Sequence, residues 1–520
     1  MAILISLNTI MILEKLHFPF KYCFLFFVLM LMVSCFQTKE EKQVQLYNTH
    51  CASCHMLPAI DALPKALWKE KVLPEMAARM GIRDATNDPY KDISMQEQAA
   101  IIKTGIYPSS PIIDVKDWEL LEEYILHSAP EKLSNSLPKK KLDTISQFST
   151  IKIALDSTNG STISYLKYDR EDHRILAGSI RGELLQYDIE TKLSAPLLRA
   201  GSTITDFSIK NNNTYLTTIG FLLPSEIASG ALGIKEGEIV KSIPQNLHRP
   251  VHTLIHDFDK DGNDEIVISE FGDLKGQLAL WTKDVNGNYV EKVLLNRPGV
   301  IRVIAKDMNA DGIEDMVVIS SQGDEAVSIL YQKEDLKFIE NRVLRFPPIY
   351  GSSWFELIDY DNDGDDDIIT VNGDNADETY LMKPYHGMRI HLNDGENNFE
   401  EAFFYPMNGC TRVIANDFDQ DGDYDMALIS TFPDYKDHPD ATFLYLENKD
   451  SENFDFKGHA LPDPNVGRWF LMDSGDIDSD GDEDLILSSL TYEYSPIPDN
   501  LKERWNQENT DILLLENQLN

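Results

Sequence analysis

Apolar residues are spaced differently in successive parts of this 520-residue chain. "FLFFVLMLMVS", at 24–34, is an unbroken apolar run behind Lys15 and Lys21. It has the length of a signal-peptide core and is too short to span a bilayer as a stable helix. Between 43 and 130 the apolar positions recur at helical intervals. "EKQVQLYNTH" and "PKALWKEKVL" each predict a short helix, and "VKDWELLEEYILHS" predicts a longer one with Val115, Trp118, Leu121 and Ile125 on one face. "SAPEKLSNSLPKKKLDT", rich in Ser, Pro and Lys, predicts a linker over 131–147. From 148 to 520 the pattern is of short strands separated by Asn, Gly and Asp turns, an all-β region.

Within the β region one template recurs five times: "DFDKDGNDEI", "DMNADGIEDM", "DYDNDGDDDI", "DFDQDGDYDM" and "DIDSDGDEDL". Alternate side chains at positions one, three and five converge their oxygens as the backbone curls. Glycine at six permits the turn, position seven adds a ligand through its carbonyl, and an acid at nine closes the shell. The candidate ligand sets are Asp257, Asp259, Asp261, Asn263 and Glu265; Asp307, Asn309, Asp311, Ile313 and Asp315; Asp359, Asp361, Asp363, Asp365 and Asp367; Asp417, Asp419, Asp421, Asp423 and Asp425; and Asp476, Asp478, Asp480, Asp482 and Asp484. So many hard oxygens select calcium, with up to five ions expected. An EF-hand closes at its twelfth position between helices, whereas these loops close at the ninth and run into strands such as "EIVIS" and "DMVVIS".

The five segments resemble FG-GAP and VCBS repeats, the calcium-bearing blades of integrin-α-like β-propellers. The resemblance covers most of 248–520 and implies four-stranded blades. Two copies without the aspartate set, "ISYLKYDREDHRILAGSIRGELLQYD" and "ITDFSIKNNNTYLTTIG", precede them, giving seven blades. The terminal "TDILLLENQLN" matches a third strand, so "FSTIKIALDS" at 148–157 is expected to complete the last blade.

Chemistry of another kind stands in the helical region. Cys51, Cys54 and His55 form Cys-x-x-Cys-His, the signature of covalent haem c attachment. Zinc would need a second ligand pair at similar spacing, and no other cysteine follows before Cys410. Residues 43–130 resemble cytochrome c domains in which the motif precedes a tryptophan and "VLPxMxxR", here "WKEKVLPEMAARMGI". That resemblance implies one covalent haem with Met76 as second axial ligand. Met80 is the main alternative and Met56 and Met95 are others, while Arg79 and Arg83 are candidates for the haem propionates. "LMVSC" resembles a bacterial lipobox, with Met32 where leucine is usual. It implies lipidation of Cys35 and a short tether over 36–42, against the alternative of an ordinary cleaved signal.

The formal charge of -39 argues against a nucleic-acid partner. No nucleophile elbow or phosphate loop is present, and His252, His256, His386 and His391 are scattered as surface or structural residues would be. The expected fold is a small all-α cytochrome-like domain followed by a seven-bladed all-β propeller. The expected function is electron transfer to redox partner proteins by an exported, membrane-anchored cytochrome facing the periplasm or cell surface, with the propeller docking a protein or glycan ligand. The alternatives are a propeller dehydrogenase feeding its own haem and an adhesion propeller.

Overall fold

The computed structural model describes residues 37–84, 87–133, 137, 141–375 and 380–519. The apolar run at 24–34, Cys35 and residues 134–136 and 138–140 of the expected linker lie outside the described residues.

The β region is a seven-bladed propeller. Blade 1 spans Ile163–Asp169 to Leu193–Arg199, blade 2 Ile204–Lys210 to Ile239–Ser242, and blade 3 Pro250–His256 to Tyr289–Leu295. Blade 4 spans Val300–Lys306 to Lys337–Arg345, blade 5 Ser352–Ile358 to Phe399–Pro406, and blade 6 Cys410–Asn416 to Asp455–Ala460. Blade 7 contains Trp469–Gly475, Asp484–Ser489 and Ile512–Asn517. The first strand of every blade touches those of both neighbours, and blade 7 touches blade 1, so the ring is closed.

The source of cohesion is visible in the second strands. "EIVISE", "DMVVIS", "DIITVN", "DMALIS" and "DLILSS" are buried at every position, because each blade is packed on both faces by its neighbours. Separate apolar clusters fill the seams, for example Leu278, Val300, Met316 and Val318 between blades 3 and 4, and Phe443, Tyr445, Trp469 and Leu485 between blades 6 and 7. At roughly 25 cal/mol per Å2 of apolar area buried, such seams are the dominant favourable term.

Phe148–Ile153 forms the outermost strand of blade 7, antiparallel to Ile512–Asn517, as the sequence pattern predicts. One strand was not anticipated. Asp143–Thr144, inside the expected linker, runs parallel to Asp455–Ala460 as a fifth strand of blade 6, with Ile145 buried beneath it. It covers backbone groups that an outer strand would otherwise leave unpaired.

Ahead of the propeller lies a helical unit: Lys39–Leu46, Lys65–Leu67, Leu73–Arg79, Met95–Thr104 and Val115–Ser128, with π-helical turns at Tyr47–Cys51 and Trp68–Val72. Its core is built from Leu46, Leu63, Trp68, Leu73, Trp118, Leu121 and Ile125. Three details differ from the sequence reading. The first helix begins inside the expected tether, because Thr38 and Glu41 form a capping box. Val115 is exposed in the first turn of its helix and not part of the buried face. Met95–Thr104 is a further helix, started by Ser94, whose hydroxyl accepts from the Glu97 N–H, and stopped by Gly105 at φ +71°.

Candidate functional site

All five acidic loops join the first strand of a blade to its second, in blades 3 to 7. Their backbones share one unusual conformation. The fourth residue, Lys260, Ala310, Asn362, Gln420 or Ser479, sits at φ between +54° and +64°, and the glycine two positions later at +83° to +101°. Left-handed backbone costs a non-glycine residue roughly 1–2 kcal/mol, so something must hold it. A Cβ on Gly262 or Gly364 would meet no atom, so glycine is required here for its φ and not for space.

The restraint comes from the first aspartate. Asp257 accepts from the N–H of Asp261 at 3.1 Å and of Gly262 at 3.0 Å. The same pair recurs at Asp307, Asp359 and Asp417. The ninth residue plays a second part that its sequence position alone does not reveal. Asp484 is fully buried, and its two oxygens accept from Ile477 N at 2.8 Å and Asn517 N at 2.7 Å, tying the loop to the third strand. Asp315 and Asp367 do the same.

Four of the loops gather carboxylate oxygens from three residues within 4.8 Å of one another. These are Asp257, Asp259 and Glu265; Asp359, Asp361 and Asp367; Asp417, Asp419 and Asp421; and Asp476, Asp478 and Asp480. The loop beginning at Asp307 is not among them; its third and seventh positions are Asn309 and Ile313. At the seventh position the aspartate side chain, and not only the carbonyl that the sequence pattern expects, is a candidate donor. One oxygen each of Asp365, Asp423 and Asp482 is buried with no hydrogen-bond partner, as is one of Asp476. Burial, followed by repulsion from Asp421 and Asp419, pushes the Asp423 carboxyl up to about 6, and burial followed by Asp480 does the same for Asp482. Orphaned, mutually repelling buried carboxylate oxygens are the donor set a hard divalent cation satisfies.

In the helical unit, the π-helical turn Tyr47–Cys51 delivers Cys51 to the edge of the core, and Cys54 follows at the surface. Both thiols are free, and burial pushes that of Cys51 up to about 11. The next segment is pinned by the Tyr47 hydroxyl donating to Pro58 O and by Trp68 Nε1–H donating to Ile60 O at 2.9 Å. His55 Nδ1 lies 2.9 Å from Met56 O. A carbonyl can only accept, so Nδ1 is the donor in this contact, which does not engage Nε2. Cys51, Met76 and Met80 share one apolar cluster, each only partly buried, together with Leu57, Leu67 and Ile82. Met56 and Met95 stand exposed. Arg79 and Arg83 are already engaged: Arg79 Nε–H donates to Glu75 at 3.0 Å, and Arg83 donates to the carbonyls of Tyr107 and Pro108.

Of the four histidines expected to be surface or structural, His386 and His391 are deeply buried. Both are about as inaccessible as the surrounding core, and His391 Nε2 is 3.1 Å from Thr370 Oγ1. Burial holds the His391 imidazole down at about 3, so it is a neutral structural group.

Antiparallel blades put the acidic loops on one face of the ring and the second-to-third loops and interblade links on the other. The helical unit docks on this second face. Glu97 accepts from Ser225 Oγ at 2.8 Å and Glu226 N at 2.5 Å in blade 2, and Tyr385 of blade 5 donates to Ala62 O at 3.2 Å. These docking residues carry no motif, and only the long insertions in blades 2 and 5 hint at them.

Residues 307–370, from the acidic loop of blade 4 to the second strand of blade 5, match the family model of the FG-GAP-like repeat. Among curated proteins no match to the chain is found.

Proposed function

We propose that the chain is an exported electron carrier. In this reading residues 43–130 hold one covalent haem c, and the propeller, stabilised by calcium, docks a protein or glycan partner, while a lipid on Cys35 tethers the molecule to a membrane. The observation that carries the reading is at His55: two free thiols three residues apart, followed by an imidazole whose Nδ1 is held by a backbone carbonyl, the arrangement in which Nε2 would serve a metal. The half-covered apolar residues beside Cys51 fit a large flat apolar group, and a unit of this size gains core from one.

Haem, when attached, supplies a one-electron couple. Cys51 and Cys54 would hold it through thioethers and His55 through Nε2, with Met76 or Met80 offering a thioether sulfur that would favour the reduced metal. The propeller's acidic loops take calcium through the carboxylates of positions one and three, joined by that of position five or nine, and through the orphaned oxygens of position seven where an aspartate stands there. This gives the cations a structural part, each neutralising a dense negative cluster ahead of a second strand.

The test is expression with a c-type maturation system. The protein is expected to retain one haem through denaturation, with the matching mass increase, and the Cys51→Ala, Cys54→Ala double variant to lose it. A colourless wild-type protein would overturn the reading.

A further inference from the structure

The helical unit does not complete its own apolar cluster. Ile349, in the link between blades 4 and 5, and Leu381, in the second-to-third loop of blade 5, pack into the same cluster as Cys51, Met76 and Met80. Tyr385, on the same loop as Leu381, donates its hydroxyl to Ala62 O, a few residues beyond the Cys-x-x-Cys-His motif. We propose that the propeller forms one wall of the haem cleft, with Ile349 and Leu381 excluding water from it; this rests on the haem reading given above.

The wall has a rigid foundation. Tyr385 stacks on Tyr350 with ring centroids 4.8 Å apart and planes 13° from parallel. Beneath them Arg389, 3% exposed, donates to Tyr385 O and Asn372 Oδ1, both at 2.8 Å, and lies 4.8 Å from the Tyr350 ring centroid. A buried guanidinium that donates from each of its three nitrogens, within a stack of rings, holds both loop segments in one place. The Glu97 anchors in blade 2 fix the unit at a second point, so the two apolar side chains meet the cleft in a constant position.

The expected consequence follows from dielectric. Water near the iron stabilises the higher charge of its oxidised form, so a dry apolar wall favours reduction and also keeps small oxidants away. The propeller therefore sets the potential and the accessibility of a centre that the helical unit attaches.

The experiment uses the full-length, haem-loaded protein and compares Leu381→Asp and Ile349→Asp with Val285→Asp. Val285 is fully exposed in the third-to-outermost loop of blade 3, on the opposite face. The two wall variants should keep stoichiometric covalent haem, titrate at a lower midpoint potential, and bleach several-fold faster in hydrogen peroxide, while Val285→Asp matches wild type. Should an aspartate prevent folding, Leu381→Ala and Ile349→Ala should give smaller changes of the same sign. Attached haem with unchanged potential and bleaching in all variants would overturn the wall and leave the haem reading standing. A wild type without covalent haem would overturn both.

Discussion

Phe148 lies directly opposite Asn517, so the first long strand of the β region and its last are hydrogen-bonded neighbours. The pair is also bound to blade 6. The Phe148 ring packs edge-on to Phe418 and Tyr445 at 5.9 and 5.4 Å, and Asn517 Nδ2–H donates to Phe418 O at 2.8 Å. Closure of the ring is thus a seam with packing on both sides.

Proline substitutions measure that seam. In an antiparallel pair the N–H groups of consecutive residues point alternately to the partner strand and away from it. Of Thr150→Pro and Ile151→Pro, one removes a ladder bond to Ile512–Asn517 and should cost about 3 kcal/mol, while the other should cost much less. Urea unfolding of the two variants gives the comparison, and equal small losses would mean the strand contributes little.

Chelation reads out the acidic loops. Without cations their carboxylates repel, so a strong calcium chelator should lower the unfolding temperature of the propeller, and calcium should restore it. The haem spectrum should change little, because the loops open on the face away from the helical unit. Asp363→Ala should remove about one bound ion by metal analysis, since that side chain stands at the fifth position of its loop, where the repeat pattern expects a ligand.

A buried acid should make stability fall with pH. Glu325, 2% exposed, accepts from Gly351 N at 3.0 Å and Ser352 N at 2.8 Å, and burial pushes its carboxyl from the usual 4.5 to about 7. The folded protein therefore binds this proton more tightly than the unfolded chain. The associated stability is present below pH 4.5 and is lost as pH rises to about 7, by at most roughly 3 kcal/mol. In saturating calcium, Glu325→Gln should flatten the profile across that window relative to wild type. Parallel profiles would show that the carboxyl is charged throughout.

In the proposed haem site, Met76 and Met80, one helical turn apart, are separable by mutation as the second iron ligand. Met76→Ala should remove the sulfur-to-iron charge-transfer band and lower the potential, with Met80→Ala close to wild type. The reverse pattern would assign the ligand to Met80, which ends the same helix and packs in the same cluster.

The parts of this structure legible in the sequence are those carried by local repetition. A ninth-position acid followed by an apolar run marks each second strand of blades 3 to 7, and a last blade one strand short implies Phe148–Ile153 as its partner. What the sequence hides is settled by distant contacts. Asp143–Thr144 becomes a strand only because blade 6 leaves an edge for it. Asp499–Glu508 is a helix within a blade-7 loop, where Trp505 is buried against Tyr435 of blade 6. Glu97 resembles any first-turn glutamate until Ser225 and Glu226 are brought to it. The fourth loop residues are instructive in a different way: lysine, alanine and glutamine have no preference for left-handed backbone, and the flanking aspartates impose it.

The seam at Phe148 and Asn517 has a consequence for the nascent chain. A polypeptide made from its N-terminus presents Phe148–Ile153 long before Ile512–Asn517 exists. Throughout synthesis that strand is an apolar edge without its partner, open to pairing with another chain. Its contact is among the most remote in sequence that the fold contains, so ring closure belongs to the slow end of folding. Agents that shield extended apolar segments during synthesis should therefore raise the yield of closed propeller more than agents that act on the finished molecule.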